Sequence, residues 1–137
     1  MTATPQLRFT HLVPEEAEIA RLFIEQNPIN ATSWIFDEHL GNGMAPDPAW
    51  PTWLQAMSKT LTQRRVDLVG LYPTGAYLVE LKQRGDIHAI GQLLVYESLY
   101  KIKHPTTITV DLVLVCRYMG FDLTLALDKY SIQSYLV

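Results

Sequence analysis

Apolar residues recur along this chain at two spacings, and the switches between them mark its elements. Pro14, Glu15 and Glu16 suit the first turn of a helix, where proline is tolerated and acids meet the positive end of the dipole. Ile19, Ala20, Phe23 and Ile24 then form a stripe at helical spacing, and Asn27-Pro28 stops the helix because proline pushes the preceding residue out of helical geometry. From Ser33 to His39 the period shortens to two, with Trp34, Phe36 and Glu38 alternating against Ile35 and Asp37, which predicts a short strand. Two glycines and three prolines between Gly41 and Pro51 predict a loop. Helical spacing resumes from Trp53 to Gln63 through Leu54, Met57 and Leu61.

Val66 to Leu71 and Ala76 to Leu81 are apolar, β-branched runs around Tyr72-Pro73-Thr74-Gly75, whose residues suit a type I turn. They predict a hairpin. Asp86 is placed to cap a helix running to about Tyr100, apolar on most sides through Ile87, Ala89, Ile90, Leu93, Leu94 and Val95 and therefore largely buried. Thr107 to Cys116 carries apolar residues on both faces, as a strand covered from two sides would. Phe121 to Lys129 reads as a further helix, and Ile132 to Val137 as a last strand suited to an edge. The order predicts an α/β fold, a mixed β-sheet flanked by helices, in a single domain over 1–137. Its core spans about 64–137, and 1–63 contributes a helix, a strand, a loop and a helix.

Composition narrows the picture. A chain of 137 residues with 48% hydrophobic content can bury one continuous core. The longest apolar stretch, Thr107 to Cys116, is broken by Asp111 and too short to cross a bilayer, so no membrane association is expected. The single cysteine, Cys116, allows no internal disulfide and no cysteine metal cluster, which suits a reducing cytoplasmic setting. A net charge of -3 argues against coating nucleic acid by bulk electrostatics, although Arg64 with Arg65, Lys82 with Arg84, and Lys101, Lys103 and His104 form local basic groups. His11, His39, His88 and His104 show no paired ligand spacing. Trp34, Trp50 and Trp53 are expected in the core rather than as base-stacking surfaces.

The residues with chemistry to offer sit on the hairpin. Glu80 and Lys82 are two apart in a strand and project from one face, while Leu81 faces the other layer. If Tyr72 closes the turn against Gly75, counting outward sets Asp67 opposite Glu80, where cross-strand Cβ atoms are roughly 5 Å apart. A three-residue loop with Gly75 in a bulge would instead shift the register by one and move Asp67 to the opposite face. In the first register two carboxylates repel unless a divalent cation joins them, and magnesium occupies such hard oxygen sites. Lys82 would then orient or activate the attacking water and stabilise charge on a phosphate.

Arg65-Val66-Asp67, a hydrophobic hairpin and Val79-Glu80-Leu81-Lys82 together resemble the PD-(D/E)XK nuclease superfamily, with Val66 where the family has proline. Gly91-Gln92-Leu93-Leu94-Val95-Tyr96 is similar to the glutamine and tyrosine motif of the RecB-like branch. The resemblance covers about Arg64 to Tyr100. It implies a restriction-endonuclease-like fold and a magnesium- or manganese-dependent nuclease acting on nucleic acid, with DNA the expected substrate. It makes Asp67 and Glu80 the metal ligands, Lys82 the residue beside the attacking water, and Gln92 and Tyr96 the supporting pair. A further acid from the first helix, Glu16 or Glu25, is also implied, and a homodimer is expected by analogy. The competing expectation is a catalytically silent module of the same fold that binds nucleic acid or protein as an adaptor.

Overall fold

The computed structural model describes residues 12–107 and 109–137, with the side chain of Leu61 left out. Its elements run α1 (Pro14–Gln26), β1 (Ser33–Leu40), α2 (Thr52–Thr62), β2 (Arg64–Tyr72), β3 (Gly75–Arg84), α3 (Ile87–Lys103), β4 (Thr109–Tyr118), α4 (Phe121–Lys129) and β5 (Ile132–Leu136). The five strands form one mixed sheet in sequence order, β1-β2-β3-β4-β5. β2 is antiparallel to both of its neighbours, β1 and β3, whereas β3, β4 and β5 are parallel, joined across α3 and α4. The fold is therefore α/β, with helices on both faces of the sheet.

Local chemistry accounts for the boundaries. α1 begins on Pro14 with Glu15 and Glu16 in its first turn and ends where Asn27 turns left-handed, at φ 43°. The Asn27 amide then bonds both the N–H and the C=O of Ala31 at 2.9 Å, closing the loop into β1. Asp86 caps α3 by accepting from the Ala89 N–H at 2.9 Å. α3 outruns the expected end at Tyr100 and continues to Lys103. β2 and β3 close through Tyr72 opposite Gly75, which settles the two-residue loop, and neither Pro73, Thr74 nor Gly75 has a positive φ. Gly75 permits a close approach here, since a Cβ would meet the Thr109 carbonyl and the Tyr72 ring.

Two apolar layers sandwich the sheet. On one face α3 and α4 bring Ala89, Ile90, Leu93, Tyr96, Leu123 and Leu127 onto Leu78, Leu112 and Leu114. On the other, α1 brings Ile19, Ala20 and Phe23 onto Leu68, Val79, Leu81, Val113 and Val115. β4 contributes to both, as a central strand should. The buried Glu38 carboxylate ties the edge strand to the end of α3: it meets His104 Nε2 at 2.8 Å and Lys103 Nζ at 3.4 Å, and Lys103 also donates to the His39 carbonyl. No helix among the described residues is long and apolar enough to cross a membrane.

The tryptophans correct one expectation. Trp34 does join the core, edge-on to Phe23 with ring centroids 5.9 Å apart. Trp50 and Trp53 do not: they are 41% and 65% exposed. The cause lies in α2, none of whose described side chains is buried or joins either core layer. Phe23→Ala should therefore cost about 3–5 kcal/mol, while Met57→Ala on α2 should change stability by no more than about 0.5 kcal/mol. Urea unfolding of both variants checks this, and equal losses would contradict the division between a packed α1 and an unpacked α2.

Candidate active site

The sheet forks at one end. β2 and β3 pair from Tyr72 opposite Gly75 only as far as Leu68 opposite Val79, although β2 begins at Arg64 and β3 runs on to Arg84. Beyond that point β2 stays with β1, down to Leu40 opposite Arg64, and β3 stays with β4, out to Arg84 opposite Tyr118. Continuing the hairpin register would set Asp67 opposite Glu80 and Val66 opposite Leu81. Instead the Leu81 N–H donates to the Asp67 carboxylate, Oδ2, at 3.0 Å. A side chain has taken the place of the ladder.

The strand is irregular at the same residue. In a regular strand Val66 and Leu68 would share a face; here Val66 packs on the α3 side and Leu68 on the α1 side. In β1, Asp37, the residue facing Asp67 in the register, is left-handed at φ 53° and drops out of the pairing, while the flanking pairs keep their register. Asp37 turns one carboxylate oxygen toward Arg65 at 3.7 Å and His39 at 3.5 Å. The kink is thus shared by two strands.

Glu80 stands on the other prong. Alternation from Ala76 and Leu78 sets it on the α3 face, where it is 4% exposed. Its Oε1 lies 3.7 Å from Lys82 Nζ, and its buried Oε2 has no hydrogen-bond partner. An unpaired buried carboxylate oxygen is costly. Burial pushes the Glu80 carboxyl up to about 9, the charge of Asp67 adds to this, Lys82 opposes it, and Glu16 and Asp86 raise it further. Of the two candidate acids on α1, Glu16 is thus the one whose charge reaches the fork. Glu25 is spent on a surface pair with Arg21 at 2.8 Å.

α3 roofs the site. Tyr96 is buried in the α3 layer, and its hydroxyl is held well above the ordinary phenol range by burial and by the charges of Glu80 and Asp67. Gln92, one turn earlier, donates from Nε2 to the Tyr96 hydroxyl at 3.3 Å, and its own Oε1 is buried without a partner. Both border a cavity of about 270 Å³ that Arg64 and His88 also line. The structure therefore brings Asp67, Glu80, Lys82, Gln92 and Tyr96 into one neighbourhood. Sequence reasoning missed Arg64 and Asp86 at this site.

Comparison with known proteins leaves these residues to speak for themselves. No family model matches the chain, and no curated protein and no solved structure matches it significantly.

Among the described residues, no three His, Cys, Asp or Glu side chains gather into a preformed metal cage. Two carboxylates suffice for a different kind of site, because magnesium keeps several waters and takes one or two protein carboxylates together with phosphate oxygens. The orphaned Glu80 Oε2 beside the charge of Asp67 fits that donor set.

The raised Glu80 value has a stability consequence. Its folded state keeps a proton that the unfolded chain loses near 4.5, so the contribution is complete below pH 4.5 and is lost as the pH rises toward about 9. The slope approaches about 1.4 kcal/mol per pH unit in that window. Glu80→Gln, which mimics the protonated acid, should lack this loss and should exceed wild type at pH 8 by up to about 5 kcal/mol in metal-free buffer. Urea unfolding from pH 4.5 to 9 measures this, and parallel curves for the two proteins would refute it.

Proposed function

We propose that this protein is a metal-dependent nuclease that hydrolyses phosphodiester bonds, with DNA as its substrate and magnesium or manganese as its cofactor. The observation that carries the reading is the buried Glu80 carboxylate with an unpaired oxygen, set beside Asp67 and Lys82 where β2 and β3 part. The resemblance to the PD-(D/E)XK superfamily and its RecB-like branch, with a restriction-endonuclease-like fold, points the same way. The sequence-order mixed sheet with helices on both faces is compatible with it.

Asp67 and Glu80 would hold the cation, which when bound supplies Lewis acidity toward a phosphate oxygen and a more acidic water. Asp67 is braced for this by the Leu81 N–H, which fixes one carboxylate oxygen against β3. Lys82 is half-buried and lies near enough to Glu80 to neutralise part of its charge when no cation is bound. With a cation on the carboxylates, its ammonium would be free to hold the attacking water and to stabilise charge on the pentacoordinate phosphorus of the transition state. Tyr96 remains a neutral phenol, so with Gln92 it offers hydrogen bonds rather than a base. Burial beneath α3 strengthens each of these interactions by excluding water.

The competing reading is a silent module of the same fold serving as an adaptor, favoured by the lack of a preformed three-ligand cage among the described residues. Two variants separate the readings. Magnesium should raise the Tm of wild type and of Lys82→Ala but not of Asp67→Asn, because only ligands that bind the folded state stabilise it. Cleavage should fall by at least about 100-fold in Lys82→Ala, since a lost electrostatic contact to the transition state costs that much. Absence of cleavage by wild type with either metal, over single-stranded, double-stranded, flapped and branched substrates, would leave the adaptor reading standing.

A further inference from the structure

α2 is the element the fold does not use. It carries no buried described side chain, and a groove beside it, made of depressions with shared lining residues, reaches Gln92 and Tyr96. The groove is a series of three joined depressions. The first, about 410 Å³, lies between α2 at Thr52, Ala56 and Lys59 and the loop at Asn42 to Pro46. The second, about 490 Å³, shares Asn42, Gly43 and Met44 with the first and reaches Arg64. The third, about 270 Å³, shares Arg64 and is bounded by Gln92 and Tyr96, the residue that senses the charges of Glu80 and Asp67.

The groove has a fixed wall. Met44 N–H donates to Thr62 Oγ1 at 2.6 Å and Gln63 Nε2 donates to the Gly41 carbonyl at 2.6 Å, so the end of α2 holds the loop. Gly43 sits against the Lys59 carbonyl at a φ of 69°, where a Cβ would not fit.

Charge and aromatic exposure say what would lie there. Residues 41–65 contain the cations Lys59, Arg64 and Arg65 and the single acid Asp47, a net of +2, so in a chain of -3 the remainder carries -5. Arg65 is engaged by Asp37, while Lys59 and Arg64 have no ion-pair partner among the described residues. On the next face of α2 Trp53 and Met57 are exposed, and Trp50 is exposed just before the helix. Two unpaired cations are too few for a duplex, which bears a charge every ~1.7 Å, whereas single-strand sites combine few phosphate contacts with aromatic stacking. From Thr52 to Arg64 the path is about 18 Å, room for a few nucleotides of an extended single strand.

We infer that the groove along α2 guides a single strand of nucleic acid to the Glu80 site, with Lys59 and Arg64 holding phosphates and Trp53 stacking on a base. This rests on the nuclease reading for its direction but is tested by binding alone. Arg64, at the junction of the second and third depressions, is the positioning residue that delivers the strand past Gln92 and Tyr96.

The test is fluorescence anisotropy of a labelled oligo-dT and of a duplex of equal length against the full chain carrying Glu80→Gln, without divalent metal, over a salt series. The single strand should bind at least 10-fold more tightly than the duplex. Lys59→Ala with Arg64→Ala should weaken single-strand binding by 10-fold or more and reduce the salt slope by about 1.4, two phosphate contacts' worth. Trp53→Ala should weaken it by about 5- to 100-fold and leave the salt slope unchanged. Trp53 is 65% exposed, so its variant stays folded and keeps the proposal falsifiable if Arg64→Ala unfolds.

Unchanged binding in these variants, or preference for the duplex, would overturn the proposal. So would a self-association of the parent, seen by sedimentation, that Trp53→Ala abolishes, since the surface would then belong to a second copy. Strand binding with no cleavage by wild type would sink the nuclease reading and leave the groove intact. Cleavage with no groove dependence would do the reverse.

Discussion

One backbone donor shapes the functional end of this protein. The Leu81 N–H, which an unbroken hairpin would aim at the β2 backbone, is taken by the Asp67 carboxylate. Because a buried backbone N–H must find an acceptor, β3 can leave β2 only if something on β2 replaces the ladder, and an ionised carboxylate is a stronger acceptor than the carbonyl it displaces. The fork that results lets Glu80 face Asp67 across an opening rather than across a closed ladder. It also places one oxygen of Glu80 in the interior with no partner.

That orphaned oxygen is the energetic signature of the site. The fold tolerates it because large apolar layers lie on both sides of β3 and β4, contributed by α1 on one face and by α3 with α4 on the other. Lys82 offsets part of the burial cost at 3.7 Å, and the remainder is met by holding a proton, which is why the Glu80 value is driven so far upward. Here the perturbation arises first from burial of Glu80 and then from the charge of Asp67, with Lys82 opposing both.

Much of this was legible in the chain. Strand alternation placed Glu80 and Lys82 on one face, while the turn residues left two registers open, and the pairing of Tyr72 with Gly75 chose the one that brings Asp67 toward Glu80. The helix boundaries followed from Pro14, Asp86 and Asn27, each acting through its own backbone chemistry. What local pattern does not encode is the switch of face at Asp67, which depends on a matching left-handed residue, Asp37, in a neighbouring strand thirty residues earlier. Nor does spacing reveal whether an amphipathic helix finds a partner: Trp53, Leu54 and Met57 read as core on α2, and the fold leaves Trp53 and Met57 exposed. The choice of Glu16 over Glu25 and the pairing of Glu38 with His104 likewise need the third dimension.

The central claim is that Glu80 holds a proton in place of a divalent cation, and proton release on metal binding tests it most directly. Magnesium titrated calorimetrically into the protein at pH 7, in two buffers of different ionisation enthalpy, counts the protons displaced per ion. Close to one proton should leave per magnesium bound to wild type, and Glu80→Gln should bind far more weakly and release none. Magnesium binding that displaces no proton, binding undiminished in Glu80→Gln, or no binding at all would contradict the account.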